Sequence, residues 1–130
     1  MSRLPDDVRP YFEAPNYAHV ATLMPDGAPH TVPVWIDVVR DRVAFLTSPA
    51  SRKARNLEAD PRVAISVTAY DRPFAMAQVR GRVVERLEGD PAWEVIDRIA
   101  RKYIGGPYPE RTDRVVFLVE PEHAWAQAFG

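Results

Sequence analysis

The chemistry open to this chain concentrates between Phe45 and Leu57, where Thr47, Ser48 and Ser51 stand beside Arg52, Lys53 and Arg55. Hydroxyls and cations at this spacing suit an anion. Ser51 is a residue type that opens helices, so a helix is expected to begin at Arg52. A helix N-terminus presents unpaired N–H groups and the positive end of the helix dipole. Natural helices usually place acids in that first turn. Three cations there point to something negative bound, and phosphate fits best. The competing account is an ordinary solvated basic turn, and the neighbouring hydroxyls weigh against it. Lysine occurs only at Lys53 and Lys102 in an arginine-rich chain. A lone lysine inside the turn therefore marks a geometry of its own.

Other chemistries are absent. The chain has no cysteine, which removes disulfides, thiolate metal sites and a Cys nucleophile. His19, His30 and His123 are scattered, with no zinc spacing and no hydrolase signature around them. Glycine-rich phosphate loops are missing too. A net charge of −1 gives no overall pull toward nucleic acid or an acidic membrane. No apolar run approaches the ~20 residues that span a bilayer. The first residues carry Asp6 and Asp7 and no apolar core of a signal peptide, so the cytoplasm is the expected location.

The elements that must position the basic turn are short, as 13 prolines in 130 residues imply. One domain over 1–130 is expected. Residues 6–13 can form a helix, disturbed at Pro10, that covers one end of a sheet. Tyr17 to Leu23 reads as a strand, followed by a turn at Pro25-Asp26-Gly27. From Pro29 to Val39, Val32, Val34, Ile36 and Val38 alternate with Thr31, Pro33, Trp35 and Asp37, a period of two. Arg40-Asp41 is a tight turn, and Arg42 to Thr47 is the next strand. Residues 17–47 thus read as a three-stranded antiparallel meander. A helix over 51–59 is stopped by Asp60-Pro61. Strands follow over 62–70 and 75–87, with Gly81 marking a bulge or a close backbone approach. A helix over 91–103 has Trp93, Ile96, Ile99, Ala100 and Tyr103 on one face. Arg114 to Glu120 is a last core strand, which Ala124 to Phe129 can extend. The sum is a mainly β (α+β) fold: a six-stranded antiparallel barrel with short flanking helices. Of the tryptophans, Trp93 reads as core, and Trp35 is placed to face a pocket or a partner subunit.

Taken together, Ala21-Thr22-Leu23, Pro25-Asp26-Gly27, Pro33-Val34-Trp35, then Thr47 with Ser51-Arg52-Lys53-Ala54-Arg55-Asn56-Leu57, then Asp60-Pro61-Arg62-Val63-Ala64, resemble the pyridoxamine 5'-phosphate oxidase-like superfamily. The closest likeness is to its short branch that uses the deazaflavin coenzyme F420. Gln78-Val79-Arg80-Gly81, Lys102-Tyr103 and the final strand also fit, so the resemblance covers nearly the whole chain. It implies a split β-barrel of the FMN-binding type, a homodimer with cofactor sites at the subunit interface, and coenzyme F420 or FMN as cofactor. It implies that Thr47, Ser51, Arg52 and Lys53 hold the cofactor phosphate, with Arg55 and Asn56 beside them. Pro33, Val34, Trp35 and Leu46 would line the tricyclic ring, and Gln78 would reach its polar edge.

Two departures bear on function. Pyridoxamine phosphate oxidases carry a basic residue at each end of the second-strand motif, where this sequence has Val32 and Asp37. Their C-terminal substrate-phosphate arginine has no counterpart here. Oxidation of pyridoxamine phosphate is therefore not expected. Haem-binding relatives exist, but no axial ligand stands out. The expected function is hydride transfer between the bound cofactor and a small organic molecule, with the proton coming from solvent, Tyr103 or Tyr108. A non-catalytic flavin or F420 carrier is the alternative. An acidic F420 tail would call on Arg55, Arg72, Arg80 and Arg82.

Overall fold

A computed structural model describes residues 3–128. Seven strands form one sheet: β1 (Tyr17–Leu23), β2 (Pro29–Val34), β3 (Ile36–Val39), β4 (Arg42–Thr47), β5 (Arg62–Ala69), β6 (Arg72–Leu87) and β7 (Val115–Ala128). Three helices accompany it: α1 (Arg9–Glu13), α2 (Arg52–Ala59) and α3 (Gly89–Ile104). The strand order is β2-β1-β5-β6-β7-β4-β3, and every pairing is antiparallel.

The meander expected over residues 17–47 does not form. β2 pairs with β1, β3 pairs with β4, and β2 and β3 lie at opposite edges of the sheet. The alternation of Val32, Val34, Ile36 and Val38 runs straight through the break, which is why it reads as one strand. A single residue, Trp35, joins the two edges. One residue cannot span more than about 4 Å of chain, so the sheet must curl until its edges meet. The result is a split barrel of seven strands rather than six.

The barrel interior is filled by Val20, Ile36, Val43, Phe45, Ile65, Val67, Val79 and Phe117, among others. Leu4, Val8 and Phe12 of the N-terminal segment join this core at one end, and Ala54 and Leu57 of α2 join it elsewhere. The first helical turn begins at Arg9, three residues later than expected, and Pro10 sits within that turn, where its missing N–H has no cost. A second core lies outside the barrel. There Ala44, Leu46, Val116 and Leu118 pack against Ala92, Ile96 and Ile99 of α3. Burial on both faces explains why β4 and the first half of β7 are apolar without alternation.

The edge of β3 is closed by side chains of α3 instead of by another strand. Arg98 donates to the Val38 carbonyl at 2.9 Å, and Lys102 donates to the Ile36 carbonyl at 2.5 Å and the Phe12 carbonyl at 3.2 Å. These two cations are four residues apart and so share a helix face. Between them lies Asp37, only 5% exposed, with Arg98 Nε 3.1 Å from Oδ2 and Lys102 Nζ 3.5 Å from Oδ1. Tyr103 completes the clasp: its hydroxyl donates to the Asn16 carbonyl at 2.5 Å and accepts from the Ile36 N–H at 3.3 Å.

Gly81 sits at a register shift between β6 and β7, where an added Cβ would overlap the Glu120 carbonyl oxygen. Backbone cannot yield there as a side chain would. Gly81→Ala should cost roughly 1–3 kcal/mol in denaturant unfolding. Lys102→Ala should cost about 3 kcal/mol, because it strips the buried Asp37 of one counter-charge and leaves two carbonyls without donors.

Candidate functional site

The expected N-cap of α2 is present. Ser51 is extended (φ −67°, ψ 158°), and its Oγ accepts from the Ala54 N–H at 3.2 Å. The same Oγ lies 2.9 Å from Thr47 Oγ1, which ties the end of β4 to the start of α2. Ser48 Oγ accepts from the Ala50 N–H at 3.3 Å. No acid stands in the first turn of α2. The hydroxyls are thus organised by the turn itself, and the cations are left over.

Arg55 uses one guanidinium N–H on the Ala50 carbonyl at 3.1 Å. Arg52 and Lys53 find no counter-charge among the described residues. Arg52 Nε is buried without a hydrogen-bond partner. Lys53 is half-buried, and desolvation holds its pKa below the ordinary value of 10.5. Two partly desolvated cations beside a helix N-terminus lower their energy by gaining an anion, and these residues fit a phosphate.

Beside the turn opens a cavity of about 430 Å³, within the range of small-molecule sites. Its wall includes Pro33, Val34, Trp35, Leu46, Thr47 and Lys53, all expected at the site. The seam of the barrel delivers them: Pro33 and Val34 end β2, Trp35 bridges, and Leu46 and Thr47 end β4. The Trp35 ring stacks on Tyr103 (centroids 5.1 Å apart, planes 4°), and Tyr108 meets Trp35 edge-on at 6.1 Å.

The other expected residues lie off the cavity wall. Ser51, Arg52 and Arg55 belong to the turn behind Thr47 and Lys53. Asn56 is 2% exposed and faces β1, where its amide donates to Thr22 Oγ1 at 3.0 Å. Gln78 sits mid-strand on β6, opposite Ser66 and Trp125. Its neighbours Ala77 and Val79 are buried in the barrel, so Gln78 is on the outer face. Of the four arginines considered for an acidic tail, Arg80 alone lines a separate 340 Å³ groove, with Arg62 and His123; Arg82 is paired with Glu122 at 3.1 Å.

Tyr17, Ser48, Tyr108 and Arg114 also line the cavity. Ser48 was visible as a hydroxyl in the basic turn. Tyr108 stands between two prolines after a glycine pair, a pattern for a stiff loop that offers one aromatic ring. Tyr17 and Arg114 carry no local signal. Tyr103 is not free for proton transfer, since both hydrogen-bonding directions of its hydroxyl are committed. Desolvation by burial pushes its pKa up to about 12.

A curled antiparallel sheet, split at a seam where an anion-ready helix start meets a ring-sized cavity, defines the flavin-binding split-barrel class. Within it, the chain belongs to the pyridoxamine 5'-phosphate oxidase family, whose model matches residues 4–128. A solved F420 reductase is 31% identical, with a TM-score of 0.81 over 94% of this chain and 98% of that one. A conserved hypothetical protein from Mycobacterium tuberculosis is 22% identical (TM-score 0.76, 97% and 89% covered), and HupZ of Group A Streptococcus is 16% identical (TM-score 0.68, 98% and 96% covered). These last two share the fold. No curated protein matches the sequence. Among the described residues no helix is long and apolar enough to cross a membrane, and no cluster of acids and histidines is set to hold a metal.

The lowered pKa of Lys53 sets a pH dependence. Its ammonium is costly in the folded, ligand-free chain below its folded pKa. That cost is relieved as pH rises from the folded pKa to the unfolded value, so stability should rise across that window. Anion binding needs the ammonium and should weaken over the same rise. Titration of inorganic phosphate against pH tests this, and Lys53→Ala should flatten the profile.

Proposed function

We propose that the protein is an oxidoreductase that moves a hydride between a bound deazaflavin, coenzyme F420, or FMN and a small organic molecule. The observation that carries this reading is the pairing of two uncompensated cations, Arg52 and Lys53, with a cavity walled by Trp35, Tyr108 and the Pro33-Val34 segment. One end suits a phosphate and the other a flat ring. The F420 reductase likeness favours F420 within that pair. The cofactor supplies the hydride chemistry when bound. Thr47 and Lys53, on the cavity wall, would hold the phosphate handle with Ser51 and Arg52 of the turn behind them, and the aromatic wall would orient the ring. With Tyr103 committed to the seam, the proton comes from solvent or from Tyr108.

Pyridoxamine phosphate is not the substrate in this reading. At the position where that chemistry calls for a basic residue, Asp37 is buried against Arg98 and Lys102 and serves the seam. The reading includes a cytoplasmic homodimer. In support, the outer sheet face exposes Tyr17, Phe74 and Trp125. Gln78 lies on that face too, opposite Trp125.

Fluorescence titration with F420 and with FMN tests the proposal. F420 should bind more tightly than FMN, and the loaded protein should turn over with a hydride acceptor. Binding without turnover would favour a carrier; binding of neither would defeat both. Arg52→Ala/Lys53→Ala should weaken cofactor binding about 100-fold, the loss of about 3 kcal/mol from two charge-assisted contacts, with the fold retained. Unchanged affinity in that variant would overturn the phosphate assignment.

A further inference from the structure

The segment 105–114 between α3 and β7 is mostly exposed, yet it contributes Tyr108 and Arg114 to the cavity wall. Its attachment is narrow. Asp97, on α3, accepts two hydrogen bonds at one oxygen: Oδ1 takes the Tyr108 N–H at 3.0 Å and Arg111 Nη1 at 2.6 Å. Arg111 Nη1 also donates to the Tyr108 carbonyl at 3.2 Å, so both sides of the Tyr108 backbone run back to one carboxylate. The Arg111 guanidinium lies 4.2 Å above the Trp93 ring, one helical turn before Asp97. The Tyr108 ring is in turn set edge-on to Trp35 and tilted to Trp93.

Residue types fix the shape of the segment. Gly105 is left-handed (φ 76°) and ends α3, and Gly106 follows it. Pro107 and Pro109 stiffen the chain on either side of Tyr108. Two glycines, a proline-flanked tip and a polar anchor on α3 make a strap that packs over the outer core through Tyr108.

We infer that Asp97 is a positioning residue: its carboxylate latches segment 105–114 against α3 and so holds Tyr108 as one wall of the ring cavity. The inference rests on the reading of that cavity as a ring site. It separates the two ends of the site, because the latch governs the ring end while the basic turn of α2 governs the phosphate end. Loosening the strap loses ring affinity and spares phosphate affinity, a split that general destabilisation would not produce.

The test compares wild type with Asp97→Ala, Arg111→Ala and the milder Asp97→Asn, which keeps an acceptor for the Tyr108 N–H. Hydrogen exchange should rise about tenfold at the Tyr108 amide in Asp97→Ala and Arg111→Ala, less in Asp97→Asn, with no change in β1, β5 and β6. FMN or F420 affinity should fall about tenfold in Asp97→Ala, the scale of one lost ordering contact, while inorganic phosphate affinity holds within about twofold. Unchanged exchange at Tyr108 would overturn the latch. Raised exchange with unchanged ring affinity would overturn the wall. If wild type binds neither ring compound, the functional reading fails together with the wall, and the exchange comparison still decides the latch. Asp97→Asn serves if the alanine variant does not fold.

Discussion

The structure depends on a seam one residue wide. β2 and β3 are consecutive in the chain and lie on opposite edges of the sheet, so the polypeptide itself carries the sheet across its own gap at Trp35. Pairing cannot continue there, since β2 and β3 share no ladder. What holds the gap is a set of side chains from α3. Arg98 and Lys102 occupy the outward carbonyls of β3, and Tyr103 links the Ile36 N–H to the chain before β1. Buried Asp37 gives the two cations a reason to be there. Asp37, buried, and Lys102, largely buried, would each be costly alone; Arg98, largely exposed, adds its charge from the rim, and the three satisfy one another and the free strand edge.

The cavity follows from this arrangement. Because the barrel is split, the ends of β2 and β4 diverge and leave a cleft, and the side chain at the crossing point is displayed on its wall. The Trp35 ring is not loose there: it lies flat on Tyr103, whose hydroxyl is fixed by the seam. The same residues therefore close the fold and set the aromatic surface of the site. The helix start of α2 completes the cleft from the β4 side, linked to it through the Thr47 and Ser51 hydroxyls.

Local chemistry was legible in the sequence wherever neighbours in the chain decide the outcome. The Ser51 cap, the turn at Arg40-Asp41, the apolar face of α3 and the close approach at Gly81 all depend on residue type and short spacing. The break at Trp35 was not legible, because the apolar alternation continues unbroken on both sides of it. Asp37 reads as a solvent-facing member of that alternation, and only the distant Arg98 and Lys102 make its burial tolerable. Asn56 reads as part of the basic turn, yet helical rotation directs it to Thr22. At the cavity, Tyr17 and Arg114 join residues 33–53 through tertiary folding alone. Pro33, Val34, Trp35, Leu46, Thr47 and Lys53 of the cavity wall could be named from the family resemblance, and Tyr17 and Arg114 could not.

The place of β7 in the strand order has a kinetic meaning. Among the described strands, β7 alone pairs with both β6 and β4. Without it the sheet falls into two separate pieces, a four-stranded β2-β1-β5-β6 unit and the β3–β4 hairpin, tethered at Trp35. The contacts that join them span 68 to 76 residues of sequence, from Thr47 with Val115 to Val43 with Val119, and such long-range pairings are slow to form. Closing the barrel requires β7 to pair along both of its edges, with β6 on one side and β4 on the other. The cavity draws its wall from both pieces, Tyr17, Pro33 and Val34 from the four-stranded unit and Leu46 and Thr47 from the hairpin, so its shape depends on β7 holding the two together.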